Sequence, residues 1–156
     1  MKRIALINDV TGYSRCSIAA QLPIISAMGI ECVFVPTAIL SVNTMHPEYY
    51  FDDYTDRMND YIETYKKMKV SFDGIATGFL GSERQIDIVI DFIKTFKKKH
   101  TFVLVDPVMG DHGKLYPTYT TAMQDKMRQL IPYATIMTPN LTELCALLEV
   151  PYPHDI

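Results

Sequence analysis

The sequence predicts an α/β fold, a mainly parallel sheet flanked by helices, and three observations carry that prediction. Short apolar runs rich in Val and Ile recur along the chain. Longer stretches of helical period separate them, which is the alternation expected of βαβ units. Small polar residues, prolines and glycines follow directly on the apolar runs, at the carboxyl ends of strands where such sheets bind ligands.

Taken in order, strands are expected at 3–7, 31–35, 73–77, 102–106 and 134–137, and helices at 14–28, 52–69, 83–98, 119–130 and 140–149. The first run follows Met1, Lys2 and Arg3, but Asn8 and Asp9 end it too early for a signal peptide or a membrane span. It therefore reads as a buried first strand. In 52–69 the apolar residues Tyr54, Met58, Tyr61, Ile62 and Tyr65 recur three and four apart, so its aromatics are expected in the core. Residues 36–50 are expected to be a ligand-contacting loop, because Pro36, Ser41, Asn43, Thr44, His46 and Pro47 break any period. No repeat, low-complexity tract or interdomain linker is visible.

The bulk numbers narrow the class. A chain of 156 residues suits one core, and a domain of that size buries roughly 70% of its unfolded surface. At 48% hydrophobic and 21% charged residues the composition is that of a folded globular protein. A formal charge of -3 offers no attraction for nucleic acid or an anionic membrane. The basic run Lys97-Lys98-Lys99-His100 is read as the cationic end of a helix. Cys16, Cys32 and Cys145 are odd in number and widely spaced, which indicates neither a disulfide framework nor a zinc site and fits a reducing cytoplasm. His46, His100, His112 and His154 are dispersed, and no metal cluster or catalytic triad is read from them.

Candidate chemistry is sought at the five strand ends. Asp106 ends one apolar run, and with Asp111 five residues on it can hold a hydrated magnesium ion, which uses few protein carboxylates. The same Asp could instead cap a turn before Pro107. Asn140 followed three residues later by Glu143 approximates a capping box, and the helix it would start also favours phosphate at its N-terminus, with Glu143 able to order a metal-bound water. Gly78 and Gly81 flank Phe79, which would let backbone and ring approach a flat heteroaromatic substrate; a merely buried Phe is the alternative. The stretch from Gly110 to Lys114 lacks the GxxxxGK[ST] spacing of a phosphate loop.

Asp106-Pro107-Val108-Met109-Gly110-Asp111 and Thr138-Pro139-Asn140-Leu141-Thr142-Glu143, taken together, resemble the pyridoxal kinase family of the ribokinase-like superfamily. Thr77-Gly78-Phe79-Leu80-Gly81-Ser82 is similar to that family's Gly-Tyr-Leu-Gly-Ser stretch, and Ser41-Val42-Asn43-Thr44 to its Ser-Asn-His-Thr loop. The resemblance implies an ATP- and magnesium-dependent kinase that phosphorylates the 5'-hydroxymethyl group of a vitamin B6 vitamer. It implies that Asp106, Thr138 and Glu143 contact ATP or its metal, with Asp111 and Asn140 close by. Thr44 would contact the substrate and Phe79 its ring. Asn8, followed by Asp9, stands where the family carries Ser-His, which puts Asn8 on the substrate side. A small-molecule substrate, a cytoplasmic location and a homodimer are implied as well.

Residues 1–156 would then be the N-terminal portion of one such kinase domain, with the C-terminal part missing. The superfamily's catalytic Asp lies in a Gly-x-Gly-Asp loop, and no glycine follows Gly113 here. No catalytic residue is therefore expected in this chain, and turnover by it alone is not expected. The hydroxymethylpyrimidine kinases of thiamin synthesis share the DPVM and TPN motifs and are the alternative. A phosphoacceptor signalling domain would need a lysine where Thr138 stands.

Overall fold

The computed structural model describes residues 1–13 and 15–153. The first position of the helix expected at 14–28, and His154, lie outside those residues. The main sheet contains β1 (Arg3–Tyr13), β2 (Glu31–Val42), β3 (Phe51–Asp53), β4 (Gly74–Thr77), β5 (Phe102–Val105) and β8 (Ile136–Met137). Its order is β3-β2-β1-β4-β5-β8, and every pairing is parallel except β2 with β3. All five expected strands thus end on one edge. β2 and β4 flank β1 on opposite sides, which makes the ends of β1 and β4 a topological switch point where α/β sheets bind their ligands.

The helices are α1 (Ser17–Ala27), α2 (Thr55–Lys67), α3 (Glu83–Phe96), α4 (Thr121–Met127) and α5 (Leu141–Leu148). Helices α2, α3 and α4 pack in sequence on one another, while α1 packs on β1 and β2. Alternation along β1 serves these layers: Ala5 and Ile7 enter the main core, and Leu6, buried between them, points the other way. The core takes Ile86, Val89, Phe92 and Ile93 from α3 and Val103 and Val105 from β5 into one buried cluster. Of the apolar stripe of α2, Met58 and Ile62 are buried, while Tyr54, Tyr61 and Tyr65 are half-buried against the core, where the Tyr65 hydroxyl donates to the Phe34 carbonyl at 3.0 Å. No described helix is long and apolar enough to cross a membrane.

Several expectations need correction. The strands expected at 3–7 and 31–35 run on to Tyr13 and Val42, because their distal halves pair with each other: Asn8 with Pro36, Val10 with Ile39, Thr11 with Leu40, Tyr13 with Val42. Asn8 and Asp9 therefore lie inside β1 rather than beyond it, and the supposed loop 36–50 supplies the rest of β2 and a turn back to β3. Loop-like residues survive in this ladder because pairing, not propensity, satisfies their backbone, and Pro36 sits beside an irregularity in the register. There Thr37 and Ala38 together oppose the single residue Asp9.

The helix expected at 119–130 divides into α4 and a 3-10 turn over Arg128–Tyr133, consistent with Pro132 lacking an N–H for a continued helix. The strand expected at 134–137 shortens to two residues. Finally, the 110–115 stretch forms a small hairpin, β6 (Gly110–Asp111) with β7 (Lys114–Leu115). Its two turn residues, His112 and Gly113, both have positive φ, 50° and 75°, as tight two-residue hairpins require.

Candidate functional site

One side of the site is the turn after β4. Four of its backbone groups are held from outside: Gly78 N–H donates to the Ile7 carbonyl at 2.9 Å, and Phe79 N–H to Asn8 Oδ1 at 2.8 Å. The Phe79 carbonyl accepts from Thr37 Oγ1 at 2.8 Å, and Gly81 N–H donates to Gln85 Oε1 at 2.8 Å. Asn8 lies so close that a Cβ on Gly78 would come within 2.4 Å of its carboxamide, so a side chain there would displace Asn8 from Phe79. The Asn8 side chain also accepts from Asp9 N–H and donates to Gln21. Asn8 thus supports Phe79 from behind.

Gln85 went unnoticed in the sequence, and no local signal would have found it. It is fully buried on α3, and its Nε2 donates to the Thr37 carbonyl at 2.8 Å, to Thr55 Oγ1 at 2.8 Å and to Asp53 Oδ1 at 3.1 Å. One amide therefore ties β2, β3 and α2 to the Phe79 turn. Buried polar networks of this kind rigidify a site because every member must keep its partner.

The other side is the loop after β5. Asp106 is half-buried and accepts from Thr138 Oγ1 at 3.2 Å. Burial pushes its carboxyl above the ordinary range, and the Thr138 hydroxyl partly offsets this. Asn140 and Glu143 form the expected capping box at the start of α5. Glu143 Oε1 also accepts from Met109 N–H at 3.1 Å, and Asn140 Nδ2 donates to the Gly110 carbonyl at 2.8 Å. Both residues thus bind α5 to the 106–111 loop. Glu143 is raised chiefly by burial, with the Asp106 charge adding to it and the backbone N–H groups opposing it. Asp111 is exposed on the hairpin, where its Oδ1 accepts from His112 N–H at 2.8 Å.

Between the two sides opens a cleft of about 240 Å³. Thr44 and Phe79 line it together, with Asp9, Thr11, Cys16 and Tyr116 among the other walls. Asn8 does not reach the wall. Tyr116 joins the two sides, since it lines the cleft and its phenol is raised by burial and by the charges of Asp111, Glu143 and Asp106. Among the described residues no group of three His, Cys, Asp or Glu gathers as a metal site. The Thr77 hydroxyl, at the end of β4, is the buried side-chain polar atom left without a partner among the described residues.

A mainly parallel sheet flanked by helices, with a cleft at its switch point, is the ribokinase-like fold. Residues 16–155 match the model of the phosphomethylpyrimidine kinase family, and the chain belongs to that family. It is similar to a protein from Bacteroides thetaiotaomicron VPI-5482 assigned to the phosphomethylpyrimidine kinases and crystallised with pyridoxal, at 46% identity and a TM-score of 0.96 over 99% of this chain. The pyridoxal kinase of Lactobacillus plantarum superposes with a TM-score of 0.92 at 25% identity over 99% of the chain. Among sequence relatives, the pyridoxine/pyridoxal/pyridoxamine kinase of Bordetella avium is 32% identical over 86% of the chain. The chain spans about half the length of these proteins, 54% of the Bacteroides chain and 47% of the Bordetella kinase.

Proposed function

We propose that this chain forms the substrate pocket and the acidic loop of an ATP- and magnesium-dependent kinase that phosphorylates the 5'-hydroxymethyl group of a vitamin B6 vitamer. What supports the reading is that Thr44 and Phe79 line one cleft together with Val108, which belongs to the same 106–111 loop as Asp106. Phe79 offers a ring face to a flat heterocycle, and Thr44 a hydroxyl to its substituents. The 46% identical neighbour crystallised with pyridoxal supports the same substrate class.

Asp106 suits a magnesium ion that keeps its waters and takes few protein carboxylates, since among the described residues its carboxylate is engaged by a threonine hydroxyl and by no cation. Bound MgATP would supply the phosphoryl group and the charge neutralisation. Asn140 and Glu143 act in this reading by holding the 106–111 loop and α5 at a fixed distance, with Thr138 and Glu143 facing the nucleotide and Asp111 at the rim. Residues 114–156 contain no glycine and so no Gly-x-Gly-Asp loop. The base and anion-hole donors of phosphoryl transfer would come from outside this chain. A homodimer and a cytoplasmic location belong to the same proposal.

A second reading, phosphorylation of hydroxymethylpyrimidine, is favoured by the description of the family model and by a 26% identical match over 140 residues to the thiamine biosynthetic bifunctional enzyme TH1 of Arabidopsis thaliana. Calorimetric titration of the chain with B6 vitamers and with hydroxymethylpyrimidine separates the two. We expect vitamer binding, and no vitamer-dependent ATP consumption above a no-protein control. Preference for the pyrimidine would promote the second reading, and turnover that tracks protein concentration would mean that the catalytic groups are misassigned.

A further inference from the structure

Among the described residues lining the cleft is a charged side chain that the reaction proposed above does not use. Asp9 is 5% exposed and forms part of the cleft wall. Strand alternation would send Asn8 and Asp9 to opposite faces, only one of them toward the site. The extra residue of the register slip lies on β2, so the alternation along β1 holds, and Asp9 and Thr11, two residues apart, both line the cleft. Here Asn8 supports the Phe79 backbone while its neighbour reaches the cleft. Asp9 Oδ2 accepts from Thr11 Oγ1 at 2.5 Å, and Thr11 is itself 3% exposed and part of the same wall. No Lys, Arg or His is among the described residues that line the cleft. A carboxylate so placed lacks the cation that would make its burial favourable.

We propose that Asp9, held in place by Thr11, is the specificity-determining residue of this cleft and pairs with a cationic N–H of a heteroaromatic ligand. The donor is either a protonated ring nitrogen or an aminomethyl ammonium group. The assignment rests on the reading that a heteroaromatic ligand lies against Phe79. It also sets the cleft against ligands that already carry a phosphate, for which its described walls offer no positive side chain.

The test is calorimetry on the 156-residue chain with pyridoxamine, which has both donors, pyridoxine, which has the ring nitrogen alone, and 3-hydroxybenzyl alcohol, which has neither. Asp9→Asn should weaken pyridoxamine at least about tenfold, the loss of one charge-assisted hydrogen bond, and leave the benzyl alcohol unchanged. An equal loss for pyridoxine assigns the partner to the ring nitrogen, and a loss confined to pyridoxamine assigns it to the ammonium. Thr11→Val, which keeps the shape of its side chain, should reproduce the pattern at about two- to fivefold, with an unchanged thermal melt. Vitamer binding that is indifferent to Asp9→Asn, or that falls equally for all three ligands, would overturn the role of Asp9 and leave the vitamin B6 reading intact. Binding of hydroxymethylpyrimidine alone, weakened by Asp9→Asn, would do the reverse. Failure of the wild-type chain to bind any of these ligands would overturn both.

Discussion

The two sides of the cleft are built on different terms. On the acidic side, Asn140 and Glu143 spend their hydrogen-bonding groups on backbone, holding α5 to the 106–111 loop. On the substrate side, Asn8 and Gln85 play the corresponding part from behind, and the Asp9 carboxylate faces the cleft with Thr11 alone for a partner among the described residues. The difference teaches that burial of a polar residue near a site has two meanings. A group whose hydrogen-bonding capacity is taken up within the protein stabilises the frame, and a group short of partners is kept for a ligand.

The sharpest contrast lies between two glycines. A Cβ on Gly110 would stand 2.2 Å from the Lys114 carbonyl oxygen and 2.7 Å from the Leu115 Cα, both backbone, so Gly110→Ala should cost about 3 kcal/mol as the hairpin is forced apart. The nearest atoms to a Cβ in Gly78→Ala are those of the Asn8 carboxamide, which can rotate away at the loss of its bond to Phe79. It should cost about 1–2 kcal/mol. Urea denaturation of both variants checks the order, and equal costs would remove the contrast.

Next come the carboxylates. Glu143→Ala strands the N–H groups of Met109 and Asn140 and should destabilise by about 2 kcal/mol. Asp9→Ala gives up one hydrogen bond but also a buried charge without a cation, so its stability should change by less than about 0.5 kcal/mol. A loss at Asp9 comparable to that at Glu143 would make it part of the frame.

Asn140→Ala removes the cap and the bond to Gly110, and about 1 kcal/mol is expected in the same denaturation series. Asn140→Asp should keep the cap but lose the bond to the Gly110 carbonyl, because a carboxylate cannot donate it. Its cost should therefore fall between those of the wild-type chain and Asn140→Ala.

The smallest effect is one of pH. Asp106 is raised in the folded state, so the fold binds its proton more tightly than the unfolded chain does. Its contribution is present below the ordinary aspartate value, about pH 4, and is lost as pH rises through the higher folded value. Asp106→Asn removes that term and should flatten the fall in stability over this window, with a change at neutral pH below about 1 kcal/mol. Glu143, raised in the same direction, leaves a residual slope. A variant whose stability instead fell at neutral pH would show the Asp106 carboxylate to be structural.

What the sequence determined by itself was local. The alternation of apolar runs and helical stretches placed five parallel strands, the Asn140–Glu143 spacing placed a helix start, and the glycines around Phe79 marked a turn, because each of these signals acts within a few residues. Only the tertiary structure decided the rest. The distal halves of β1 and β2 carry loop-like residues and become strands through their pairing with each other. Gln85 looks like any polar residue on a helix until Thr37, Asp53 and Thr55 arrive around it from distant parts of the chain. Which of Asn8 and Asp9 faces the cleft cannot be read from either residue, since the face that a strand buries or opens to a site is decided by the elements packed on each side of it.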